Sequence, residues 1–278
     1  MSLPLSGDVL GVDVGMSPAR RSSAVCRLSW TETHVGWTIR RFRATPEERQ
    51  SAMAETIGTA QLMAAAFDGP FRAALDIIGV YRHCERVLTR QEFRTRIGKP
   101  GQSSAPIGKA LNEHTNYCIR RALPHVVAAT HPGAIHPRAV VEAFPSSFMG
   151  LMLAAPETIA VTRGNRSDLF FQHLATAGTL DRLVAELLPG RIKAMGFDAI
   201  TNHDDRAALI CALTALGVAA GEFVSVGDGE GRIILPPQAM LADWARSALA
   251  APEIADAVII ADAPLSDASP SFPAGGAS

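Results

Sequence analysis

The sequence predicts an α/β fold: one mixed five-stranded sheet in spatial order 3-2-1-4-5, with helices on both faces, helical insertions and a C-terminal hairpin plus helix. Three observations carry that expectation. Three short β-branched runs crowd into the first 43 residues with only turn-length gaps between them, so they pair as an antiparallel meander. Later strand-like runs are separated by helical stretches, and a strand that returns across a helix pairs in parallel. The 278 residues are 47% apolar and 19% charged, which supports a sizeable core and excludes global disorder.

Asp8 to Val14 (DVLGVDV) reads as strand one, Ser22 to Trp30 as strand two and Val35 to Arg43 as strand three. Thr45-Pro46-Glu47-Glu48 starts a helix, with Thr as cap, Pro in the first turn and early carboxylates. Ala-rich sequence carries that helix to about Phe67, where Asp68-Gly69-Pro70 breaks it. Phe71 to Val80 (FRAALDIIGV) then reads as strand four. A helix follows from His83 to Arg96, then a Gly/Ser/Pro loop from Gly98 to Pro106 and a second helix from Ile107 to Leu123. Arg138 to Phe144 is strand five, stopped by Pro145, with a short helix from Ser146 to Leu153 and two more helices within 165–190. Asn202-His203-Asp204-Asp205 caps a long apolar helix to Ala220. Val224 to Leu235 is a hairpin, and Pro236-Pro237 opens a last helix carrying Trp244. Residues 1–262 thus form a single domain with insertions at about 82–123 and 165–190, and 263–278 a flexible Ser/Pro/Gly/Ala-rich tail. The ribonuclease-H-like fold has this element order, and so does each half of the actin-like ATPase fold.

The net charge of -1 excludes a uniformly basic nucleic-acid wrapper, but the charge is uneven. Residues 1–121 hold 17 basic and 11 acidic residues, and 82–121 alone hold nine and three. Arg82, Arg86, Arg90 and Arg94 recur every fourth residue, which on one helix makes a stripe able to grip phosphates. The plainer reading is a solvated helix face. Cys26, Cys84, Cys118 and Cys211 have spacings that suit neither a zinc site nor a disulfide framework, so they read as reduced thiols of a cytoplasmic protein. The N-terminus lacks the basic and long apolar regions of a signal peptide, and the longest smooth apolar stretch, Ala207 to Gly221, is too short to span a bilayer.

Acidic residues stand where they are costly. Asp13 ends strand one, Asp76 lies within FRAALDIIGV, Glu142 lies within strand five, and Asp204 and Asp205 begin the apolar helix. Carboxylates are depleted in strand interiors and expensive to bury unpaired. If strands one and four are neighbours, Asp13 and Asp76 repel, and a hard divalent cation, Mg²⁺ or Mn²⁺, relieves the repulsion. Two such ions activate water and stabilise the leaving oxygen of a phosphodiester. Each acid also has a structural reading: Asp13 bonding to turn amides, Asp76 pairing with Arg82, Glu142 bridging into 82–121, and Asp204 and Asp205 serving as helix-start acids.

GVDVG, VVEAFPSSF, HDDRAALICALTA and GRIILPP, together with the Arg-rich stretch RHCERVLTRQEFR, resemble the family catalogued as domain of unknown function 429. The resemblance spans roughly Val9 to Pro237. It implies a ribonuclease-H-like nuclease related to Holliday-junction resolvases. Members often follow the strand-four Asp with a Pro- or Gly-containing turn, whereas Asp76 is followed by Ile77-Ile78. In related resolvases the final helix supplies an acid from its first turns. Asp204 shares a helical stripe with Ala207, Cys211 and Thr214, and Asp205 lies roughly 100° round, so Asp204 is preferred and Asp205 kept.

The leading expectation is a metal-dependent nuclease in which Asp13, Asp76, Glu142 and Asp204, with Asp205, hold Mg²⁺ or Mn²⁺. Arg82, Arg86, Arg90, Arg94 and His203 then hold the nucleic acid or other phosphodiester. The alternatives are a non-catalytic nucleic-acid-binding or scaffold protein of the same fold, and an actin-like ATPase or phosphotransferase. The latter needs a second Gly-x-Asp-x-Gly-like segment, which the chain lacks.

Overall fold

The meander forms as its β-branched runs require. The structure is a computed structural model and describes residues 3–71, 80–127, 137–159 and 166–262. Strand β1 (Gly7–Asp13) pairs antiparallel with β2 (Ser23–Trp30), and β2 with β3 (His34–Phe42). Helix α1 (Pro46–Ile57) begins at Thr45, whose Oγ1 accepts from Glu48 N at 3.3 Å. It ends at Gly58, which takes φ 56, a left-handed conformation that costs glycine nothing.

The expected continuation of this helix to Phe67 is wrong. Leu62–Asp68 (LMAAAFD) is instead strand β4, lying parallel to β1 in the register Gly11↔Ala66 and Asp13↔Asp68. Alanine favours helix in isolation, but this run is buried within the sheet, where small side chains decide the packing. Both edges of β1 are now occupied, by β2 and β4. The parallel neighbour of β1 is thus Leu62–Asp68, where Phe71–Val80 was expected. Residues 72–79, including Asp76, lie outside the described residues.

Five strands complete the sheet: β5 (Val140–Ala143), β6 (Ile192–Lys193), β7 (Glu222–Asp228), β8 (Gly231–Leu235) and β9 (Val258–Asp262). The order is β6-β3-β2-β1-β4-β5-β8-β7-β9, a mixed nine-stranded sheet rather than the expected five. The first five strands do stand as 3-2-1-4-5, with a different fourth segment. The hairpin β7–β8 extends the same sheet because β8 pairs parallel with β5, and β9 closes the far edge against β7.

Helix α8 (His203–Ala220) lies across β1, β2 and β4. A Cβ on Gly11 would stand 2.1 Å from Ala212 N and 2.3 Å from Ala208 O, so the helix backbone rests directly on this glycine. Gly11 therefore marks the α8 face, and so do its register partners Cys26 and Ala66. Arg27 points the other way and donates to Ile57 O at the end of α1 at 3.1 Å, which places α1 on the opposite face. One continuous apolar cluster runs through both layers.

The stretch 83–97 is two short helices, α2 (His83–Leu88) and α3 (Gln91–Ile97), not the single helix expected. Thr89 Oγ1 donates to Arg86 O at 2.9 Å in the break. Helices α4 (Pro106–Ala122), α5 (Pro145–Met152), α6 (Arg166–Thr176) and α7 (Thr179–Leu187) stand close to their expected bounds. The last helix, α9 (Asp243–Leu249), starts later than Pro236-Pro237, after a 3₁₀ turn at Gln238–Met240. Cys26, Cys84, Cys118 and Cys211 are buried and free. Among the described residues no helix is long and apolar enough to cross a membrane. The expected tail, 263–278, lies outside the described residues.

Candidate functional site

Strands β1, β4 and β5 run parallel, so their C-terminal ends share one edge of the sheet, the edge at which open α/β sheets form crevices. Asp13 and Asp68 are the last residues of β1 and β4 and stand in register. Neighbouring strands lie about 4.8 Å apart, so the two side chains leave the same face side by side. Gly11 faces α8, and Asp13, two residues on, does the same. Cys211 of α8 meets this pair. Burial and then the charges of Asp68 and Asp13 push its thiol up.

The electrostatics follow from that placement. Burial, then Asp68, then Asp204 and Asp205, hold the Asp13 carboxyl well above its ordinary range. Burial and then Glu142 push Asp68 up to about 7, with His203 opposing. Among the described residues neither carboxylate accepts a side-chain or turn hydrogen bond, so Asp13 does not bond to turn amides; Gly15 N instead donates to Ser23 Oγ at 3.0 Å. Two adjacent acids without donors favour the protonated form or a cation.

The start of α8 supplies two more acids. The Asn202 side chain accepts from Asp204 N at 2.9 Å and Asp205 N at 3.3 Å, so Asn202 is the cap and both carboxylates are released from that duty. Burial raises both, and Arg41 opposes in each case. Asp205 Oδ1 is 3.6 Å from Arg41 Nε, yet it is buried and has no hydrogen-bond partner among the described residues. Arg20 also lowers Asp204. His203 Nδ1 is 3.2 Å from Asp168 Oδ2 on α6, and Arg206 Nη1 is 3.0 Å from Asp168 Oδ1. Asp168 thus positions His203 beside the acids.

Glu142 is arranged differently. Its register partner is Phe67, so it lies on the opposite pleat from Asp68. Both of its oxygens are taken by Arg82, Nη1 at 2.8 Å and Nη2 at 2.7 Å. Arg82 Nε donates to Glu85 Oε1 at 2.9 Å, and Arg82 N to Glu85 Oε2 at 3.0 Å. Arg82 is only 4% exposed, so it is not the exposed phosphate grip expected of it. The rest of the stripe is broken by the gap between α2 and α3. Arg86 is exposed and donates to Tyr81 O; Arg90 pairs with Glu92 at 2.7 Å and Glu253 at 3.7 Å; Arg94 is exposed.

Asp68 is the residue that sequence reasoning missed. Its signal was present as Asp68-Gly69-Pro70, read only as a breaker. The donor chemistry of Asp13, Asp68, Asp204 and Asp205 fits a hard divalent cation: all are oxygen ligands, two are without donors among the described residues, and Asp205 holds a buried oxygen with no hydrogen-bond partner among them. Among the described residues no three His, Cys, Asp or Glu side chains converge closely enough to hold a metal as they stand. No family model, curated protein or solved structure matches the chain.

Proposed function

We propose that the chain is a metal-dependent phosphodiester hydrolase of ribonuclease-H-like architecture acting on nucleic acid, with its site at the C-terminal ends of β1 and β4. The observation that carries this reading is the in-register Asp13–Asp68 pair, half-buried on the α8 face and without hydrogen-bond donors among the described residues. The corrected strand supports the resemblance as well. Asp68 is followed by Gly69-Pro70, the turn that the resemblance leads one to expect and that Asp76 lacks.

Asp13, Asp68 and Asp204, with Asp205 beside them, are the residues that would hold Mg²⁺ or Mn²⁺. Such an ion, when bound, lowers the pKa of water and neutralises charge on a transferring phosphate. Glu142 acts through Arg82, fixing the wall of the site from the far pleat. His203, held by Asp168, stands at the rim where a proton leaves or arrives.

The test is a pair of variants, Asp13→Asn and Asp68→Asn, melted with and without Mn²⁺ and assayed on labelled oligonucleotides. Asn keeps the shape and removes the charge. Wild type should melt higher with Mn²⁺, because a ligand bound only to the native state stabilises by mass action. Both variants should lose that response and the cleavage, yet melt as high as wild type or higher without metal. A destabilised Asp13→Asn protein with an intact Mn²⁺ response would make Asp13 a structural acid and end the hydrolase reading.

A further inference from the structure

Helix α1 lies on the face of the sheet opposite α8, and α4 packs against it. His114, Tyr117, Cys118 and Arg121 recur at three- and four-residue steps on α4, so they form one stripe, and Arg49 of α1 meets it. Arg49 Nη2 donates to His114 Nδ1. The guanidinium carbon of Arg49 stands 5.2 Å from the centre of the Tyr117 ring, and that of Arg121 stands 3.4 Å from the same ring. Tyr117 is fixed across the seam by its hydroxyl, which donates to Pro46 O at 3.2 Å. Cys118 feels both cations: burial pushes its thiol up to about 11, and Arg49 and Arg121 oppose.

The seam gathers cations without an acid. Arg49 is only 4% exposed. Arginine keeps its charge in a protein, and a buried charge is costly unless it is paired. Burial pulls Arg49 down, Cys118 and Tyr117 oppose, and Arg121 adds its like charge; no carboxylate of the described residues acts on it. Glu48 is taken by Arg43 at 2.6 Å and Glu55 by Arg40 at 2.5 Å, and Glu113 is exposed and forms no ion pair among the described residues. Arg49 Nε and Arg121 Nε are buried with no hydrogen-bond partner among the described residues. Arg121 Nη1 donates to Tyr117 O at 3.1 Å. Arg49 Nη1 and Arg121 Nη2 make no hydrogen bond among the described residues either, and they are not sealed as the Nε atoms are, so each fork keeps an open end. His114 accepts at Nδ1, which leaves its proton on Nε2; burial and then Arg49 lower its pKa, with Glu113 opposing.

We propose that the α1–α4 seam binds a phosphate monoester dianion through Arg49, Arg121 and His114. Two unopposed positive charges call for two negative ones, and a phosphate monoester carries about −1.5 to −2 at pH 7 on three acceptor oxygens. Guanidinium forks match those oxygens in pairs. A carboxylate or a phosphodiester brings a single charge and leaves one cation unmet. The site lies across the sheet from Asp13 and Asp68 and needs no metal.

The dianion has two sources, free phosphate or the phosphorylated end of a nucleic-acid strand. The probe is inorganic phosphate, added to the full chain in EDTA at physiological ionic strength, so that neither a metal nor loose ion pairing enters. The phosphorus NMR line should broaden with wild type, and dimethyl phosphate, a monoanion, should bind at least tenfold more weakly. Arg49→Met and Arg121→Met each remove a guanidinium and keep an unbranched side chain. Each should weaken phosphate binding at least tenfold. Without phosphate, Arg49→Met should melt as high as wild type or higher, because it removes a buried charge that has no counter-charge. Low millimolar phosphate should then raise the wild-type melt and leave that of the variant unchanged.

A short single strand with a terminal phosphate that displaces inorganic phosphate, while its hydroxyl-ended twin does not, identifies a strand end as the source. Displacement by a mononucleotide and by neither strand identifies free phosphate. No broadening with wild type, broadening kept in both variants, or dimethyl phosphate bound as tightly as phosphate overturns the proposal. An Arg49→Met protein that melts well below wild type and still binds phosphate overturns it too, since Arg49 is then a structural cation satisfied by His114 and Tyr117. Every arm is metal-free, so the outcome is read independently of the hydrolase reading.

Discussion

Asp68 is held up to about 7 and Asp13 well above its ordinary range, and both shifts translate into pH dependence of stability. In the unfolded chain an Asp titrates near 3.9. Between about pH 4 and 7 the folded protein therefore binds more protons than the unfolded one, and stability falls as pH rises through that window. Metal-free protein should melt higher at pH 5 than at pH 8, and Asp68→Asn should flatten the profile; a melting temperature that rises with pH across that range would contradict the placement of the pair. Arg82 gives a second residue-level test. Truncating it leaves Glu85 and Glu142 buried without their partner, at a cost of about 3–5 kcal/mol. Arg82→Ala should lower the urea midpoint by a corresponding amount, whereas an exposed phosphate grip would leave it unmoved. Asp13 was legible in the sequence because an acid ending a β-branched run is anomalous. Glu142 was legible for the same reason, but its partner was not: Arg82 lies 60 residues away in the chain, and no local pattern encodes that pairing.

At the scale of elements, the contact of α8 with β1 and β4 sets where the acids stand. Gly11 and Ala66 are register partners beneath the helix, and the backbone of Ala208, Cys211 and Ala212 meets Gly11. Small residues on both sides bring α8 close enough for its first turn to reach Asp13. Gly11→Val would force the helix backbone away. Overpacking of this kind costs about 1–3 kcal/mol or more. The variant should melt several degrees lower and, on the proposed reading, lose part of the Mn²⁺ response, since Asp204 and Asp205 withdraw with the helix; a melt equal to wild type would mean that α8 is not seated on Gly11. The same smallness misled the sequence reading. MAAAF reads as helix because alanine propensity is local, while its role in a buried strand is decided by a helix some 140 residues later in sequence. The meander, the Thr45 cap and the Asn202 cap were legible because turn and cap chemistry is local. The two-residue strand β6 and the edge strand β9 carry too little pattern to be read alone.

For the whole molecule, the tally of nine basic against three acidic residues in 82–121 overstates the positive field. Folding brings in acids from elsewhere: Glu142 to Arg82, Glu253 to Arg90 and Glu157 to Arg96. Composition counts charges by position in the chain, but a polyanion meets them by position in space. Besides His203, the arginines among the described residues that act on Asp204 at the carboxylate edge are Arg41 and Arg20, which come from β3 and from the β1–β2 connection. Both are exposed. On the proposed reading, a phosphate backbone crossing the site passes these two rather than the 82–94 segment. Each phosphate contact on a single strand contributes about 0.7 to the slope of log K against log salt. The Arg20→Ala, Arg41→Ala double variant should therefore bind a short single strand more weakly and lower the slope by roughly 1.4, measured by anisotropy in Ca²⁺ across a salt series. The Arg86→Ala, Arg94→Ala double variant should leave the slope as it is in wild type. If instead the second pair flattens the slope and the first does not, the strand runs over α2 and α3, and the path proposed for the substrate along the sheet edge is wrong.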